Sequence, residues 1–95
     1  MKIDAEITGR WVTENEDSDV ELIIDFQAGV PSVTAHCRSD HEKLEVINLR
    51  TEGDVLSFET VVPSSGYRAR NWMRFLNSDN CELELTTWER WKKVN

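Results

Sequence analysis

The segment AHCRSDHE, residues 35–42, gathers His36, Cys37, Asp40, His41 and Glu42. These are side chains of nucleophilic and metal chemistry. A thiol nucleophile needs a base within hydrogen-bond reach and a third group to orient that base. His36 and Cys37 are neighbours, so on a strand they point to opposite faces and cannot pair. His41, folded back across the turn, is the imidazole that could reach Cys37. A surface metal site would use His36, Asp40 and His41, although their spacing matches no strong ligand motif. An ordinary polar turn is the plainer reading of the same residues. The acidic stretch with Glu14, Glu16, Asp17 and Asp19 lacks the calcium-loop pattern, and no phosphate cradle, nucleophile elbow, CxxC or HExxH is present. No catalytic residue, metal or cofactor is therefore assigned.

What must position these residues is a succession of short strands. Ile3, Ala5, Ile7, Gly9 and Trp11 alternate with Lys2, Asp4, Glu6, Thr8 and Arg10, which predicts a half-buried first strand. Val20, Leu22, Ile24 and Phe26 mark a second, after the acidic loop. Residues 28–32, AGVPS, read as a turn, and Val33, Ala35 and Cys37 as one face of a third strand. The fourth, KLEVINL, begins in phase and then slips, which predicts a bulge near residues 46–48 or burial on both faces. Leu56, Phe58, Thr60 and Val62 mark a fifth. A sixth runs over residues 67–76 and a seventh from 81 to about 91.

The last two strands pair about the loop NSDN. Phe75 then opposes Cys81, Met73 opposes Leu83, Asn71 opposes Leu85 and Ala69 opposes Thr87. On the other face Arg74 opposes Glu82, Trp72 opposes Glu84 and Arg68 opposes Trp88. This register segregates the two faces. The outer face carries a basic and aromatic stripe of Arg68, Arg70, Trp72, Arg74 and Trp88, a candidate interaction surface. The competing reading has arginine stems covering the tryptophans while Glu82 and Glu84 neutralise the guanidiniums. Inward Phe26, Phe58, Tyr67, Asn71 and Leu85 are the candidate ligand-binding residues. The buried polar groups among the inward residues could equally bond to one another.

Ninety-five residues fit a single domain, 1–95, with a thin core. The formal charge of −7 disfavours nucleic acid, whose phosphates need clustered lysine and arginine, and disfavours anionic membranes. No apolar run reaches the length of a membrane span, and the N-terminal alternation is unlike a signal sequence, so a cytoplasmic setting is expected. Cys37 and Cys81 are expected as free thiols. The fold class is all-β: an antiparallel meander of seven to eight strands rolled into a small closed or partly open barrel, which hides sheet edges and the apolar face.

Gly9-Arg10-Trp11 on a first strand, followed by such a meander, resembles the G-x-W opening of the lipocalins and related calycin barrels. In that family the tryptophan closes one barrel end and an arginine of the last strand packs across it. The resemblance assigns structural roles to Gly9 and Trp11, with Arg90 in TWERWKK as the cover. A cavity for a small ligand needs about 8 well-formed strands, so a filled barrel or a cavity shared by two chains is expected here. An interaction or structural module, as a homodimer or with an unknown protein partner, ranks first. A binder of a small hydrophobic or amphipathic ligand comes second. An enzyme using Cys37, His36 and His41 comes last.

Overall fold

The computed structural model of the chain describes residues 3–94. Seven antiparallel strands follow one another as a meander: β1 (Gly9–Trp11), β2 (Val20–Gln27), β3 (Val30–Cys37), β4 (Lys43–Glu52), β5 (Val55–Val61), β6 (Arg68–Phe75) and β7 (Cys81–Thr87). The sheet curls into a half-barrel whose first and last strands are not paired with each other. Its inner face holds Ile7, Leu22, Ile24, Val33, Ala35, Leu44, Leu56, Phe58, Met73 and Phe75. Among the described residues no helix is long and apolar enough to cross a membrane.

The N-terminal alternation does not make one long strand. Ala5–Ile7 form a single 3-10 turn, and Ala5, expected inside, is exposed. The cause is local. The Asp4 carboxylate accepts the Glu6 N–H at 2.8 Å and the Ala5 carbonyl accepts the Thr8 N–H at 3.1 Å. Such side-chain bonds offer the backbone an alternative to a sheet ladder. Ile7 still reaches the core and Trp11 packs against it. Lys2, expected on the outer face, lies outside the described residues.

The β2–β3 turn is tighter than expected. Ala28 and Gly29, both at positive φ, form a two-residue connection, and Val30, Pro31 and Ser32 belong to β3. Positive φ at both central positions is the requirement of a type I′ hairpin turn, whose twist matches that of the flanking strands. Proline is tolerated because β3 pairs with β4 only at Ala35 and His36, so the other edge of Pro31 needs no ladder bond. In β4 the slip is a bulge between Ile47 and Arg50, with Asn48 at φ 56°. Asparagine tolerates this left-handed conformation. The bulge returns Leu49 to the inside and leaves Ile47 outside.

The β6–β7 register is the one read from the alternation, from Ala69 opposite Thr87 to Phe75 opposite Cys81. Both strands are shorter than expected. β6 omits Tyr67 and Leu76, and β7 stops at Thr87 opposite Ala69, so the expected strand pairing of Arg68 with Trp88 is not made. The described residues after β7, 88–94, carry no strand, and Trp91 is exposed.

Candidate functional site

The gap between β1 and β7 opens an apolar groove along the inner face. Trp11, Val20 and Leu22 form one wall, Met73, Cys81, Leu83 and Leu85 the other, and Leu44 and Thr60 the floor. Its volume is about 170 Å³. Trp11 braces one end. Its ring meets Phe75 edge-on and its Nε1–H donates to the Ile7 carbonyl at 2.9 Å. On the floor the Asn71 amide donates to the Thr60 hydroxyl at 3.2 Å, so these two buried polar groups are partnered with each other.

Strand β7 gives the groove its character. Leu83 and Leu85 point inward by register, yet they are 46% and 53% exposed, because among the described residues no strand lies beyond β7 to roof them. Among the described residues its outer edge makes no backbone hydrogen bond. An unpaired edge is a ready template for another strand. Of the residues expected around a ligand, Tyr67, Asn71 and Leu85 line the groove. Phe58 is instead fully buried in the core, and Phe26 packs against the core rather than lining the groove. Leu83 belongs to the groove too. Its signal was its place two residues before Leu85 on the same face.

The convex face gathers the basic and aromatic stripe. The Arg68 guanidinium stacks 4.1 Å from the centre of the Trp88 ring and that of Arg70 lies 5.7 Å from it. Arg74 pairs with Glu82 at 2.9 Å and Arg68 lies 3.9 Å from Glu59. Trp72, 40% exposed, sits between Ser57 and Glu84 in the register. Much of the positive charge is thus met by glutamates and by the Trp88 face, with Trp72 left partly open. Arg90 lies in a different place from the one the barrel-end arrangement assigns. Its guanidinium stands by Gly66 in a shallow recess with Trp88 and Trp91, while the ring against Trp11 is Phe75.

The turn after β3 brings Cys37, Asp40 and Glu42 together, with ligand-type atoms within 4.8 Å of one another. His36 turns away and lies 3.6 Å from Glu21, which also pairs with Arg10. His41 contributes its backbone, donating its N–H to the Cys37 carbonyl at 2.9 Å. The carboxylates already have structural work. Asp40 accepts the Glu42 N–H, Glu42 accepts both the N–H and the hydroxyl of Ser64, and Asp19 does the same for Ser39. Burial, then the negative charges of Asp40, Asp19 and Glu42, push the Cys37 thiol up; burial alone pushes up that of Cys81. A thiol held protonated is a poor nucleophile, and the carboxylates around it are engaged in fastening the turn to its neighbours. No family model, curated protein or solved structure matches the chain.

Proposed function

We propose that the protein is a non-enzymatic interaction module that takes up an extended segment of another polypeptide along the open groove and the free edge of β7. The observation that carries this reading is the conjunction at β7 of an unpaired backbone edge with inward leucines left half in water. Strand addition supplies main-chain hydrogen bonds along the edge and lets alternate side chains of the partner roof the groove. The two unbridged thiols suit a reducing setting such as the cytoplasm.

Selection of extended peptides from a display library on the purified chain tests the reading, with binders mapped by amide chemical shifts. Binders are expected to shift the residues of β7 and the Trp11 indole. Binders that map to the Trp88 face instead, or a selection that yields none, would remove it.

A lipocalin-like site for a small apolar ligand is the second reading. It is favoured by a concave apolar surface with a single polar pair, Thr60 and Asn71, at its base. Its size weighs against it, since about 170 Å³ falls short of the roughly 300–1,000 Å³ of small-molecule sites. A fluorescent apolar dye that binds stoichiometrically and is displaced by a fatty acid, with Asn71→Ala altering its affinity, would put this reading ahead.

A further inference from the structure

Resting on the interaction reading above, we infer that the β7 edge selects a partner segment in which apolar residues alternate with lysine or arginine. The chemistry follows from the two rows that β7 presents. Cys81, Leu83, Leu85 and Thr87 face the groove, and Glu82, Glu84 and Thr86 face outward. A strand laid beside β7 must match both rows in period two. Apolar side chains cover the leucines, and cations stand beside the glutamates, since opposite charges stabilise directly facing positions and like charges destabilise them.

The chain already holds an example of such a strand. On its other edge β7 is paired by β6, RARNWMRF, which sets Ala69, Met73 and Phe75 on the inside and Arg70 and Arg74 on the outside. Arg74 lies opposite Glu82 and bonds to it at 2.9 Å. Glu84 lies opposite Trp72, and among the described residues it has no salt bridge. An incoming cation beside Glu84 would therefore meet a carboxylate that no arginine already holds.

Charge also separates a foreign partner from a second copy. Two β7 strands paired antiparallel over their full length put Glu84 of one copy directly against Glu84 of the other, so the register that sets Leu83 beside Leu85 also opposes like charges at its centre. The net charge of −7 adds repulsion between copies and attraction for a basic segment. Glu14 and Asp17 belong to the same loop as Thr13 and Ser18, which line the groove, while Glu16 of that loop is paired with Arg38.

The full chain is titrated by calorimetry and amide shifts with three peptides of about nine residues, enough to span the seven of β7, in which valine alternates with lysine, threonine or glutamate. The lysine peptide is expected to bind roughly tenfold tighter than the glutamate peptide at low salt, a margin that narrows on raising the salt, and to shift Glu82 through Thr86. Glu84→Lys, an exposed change, is expected to move the preference toward the glutamate peptide. Equal binding of all three peptides at β7 would overturn the charge selection while leaving the interaction module standing. Binding of none would overturn the inference, and the library selection then decides the module by itself. A dimer formed through β7, seen by sedimentation and abolished by Leu83→Lys, would overturn it in favour of a second copy.

Discussion

Trp11 and Phe75 come from opposite ends of the meander and meet edge to face, with ring centroids 5.1 Å apart and planes 80° to each other. The contact draws β1 toward β6 across the gap that β7 leaves unclosed. It sets the width of the groove at one end without supplying a backbone ladder.

Trp11→Ala is expected to cost about 2–4 kcal/mol, toward the lower part of the range for large aromatic truncations, because the ring is only partly buried. Trp11→Phe keeps a ring but removes the donor to the Ile7 carbonyl, at about 1 kcal/mol. Urea unfolding of the three proteins checks both figures. A change within about 0.5 kcal/mol for the alanine variant would mean that the ring does not hold this end.

Thr60 and Asn71 are expected to be strongly coupled. Thr60→Val leaves a buried amide without its acceptor, at about 1–3 kcal/mol. Adding Asn71→Leu removes the orphaned group, so the double variant should be more stable than the sum of the singles implies. A double-mutant cycle by chemical denaturation measures the difference.

Leu83→Lys with Leu85→Lys tests the groove without testing the core. Both side chains are half exposed, so thermal stability should change by no more than about 0.5 kcal/mol per site. Uptake of extended peptides should be lost. Calorimetry beside a melting curve separates the two effects.

The Cys81 thiol gives a pH dependence of known sign. Burial raises its pKa in the folded chain above the unfolded value, so the folded state keeps its proton longer. The resulting stability is complete below the unfolded thiol pKa, about 8.5, and is lost as pH rises through the folded value. The stability difference between the native chain and Cys81→Ala should therefore shift against the native chain only in the alkaline range. Alkylation by iodoacetamide should be slow at neutral pH in the folded chain and fast in urea.

The sequence exposed the β6–β7 hairpin almost completely, because Arg68 to Phe75 alternates without interruption and Arg74 falls opposite Glu82. The slip in β4 was legible as well, since Leu44 and Leu49 cannot share a face without an added residue. The turn at Ala5–Ile7 was not. Its alternation suits a strand, and only the Asp4 side chain, bonding locally, decides otherwise. The alternation admitted both a closed and a partly open barrel and did not decide between them. Closure depends on how far β1 extends, and once the 3-10 turn takes Ala5 to Ile7 only Gly9–Trp11 remain as strand. The opposite faces of His36 and Cys37 were readable from their adjacency, whereas the convergence of Cys37 with Glu42 depends on the path of the turn.

Amide hydrogen exchange along β7 tests the central claim most directly. In the free chain the N–H groups of β7 that face β6 should be protected, and the alternate ones, pointing outward, should exchange fast, giving a protection pattern of period two. The valine–lysine peptide should slow that second set. Uniform protection throughout β7 in the free monomer, or fast amides that stay fast with peptide bound, would contradict an open edge that receives a strand.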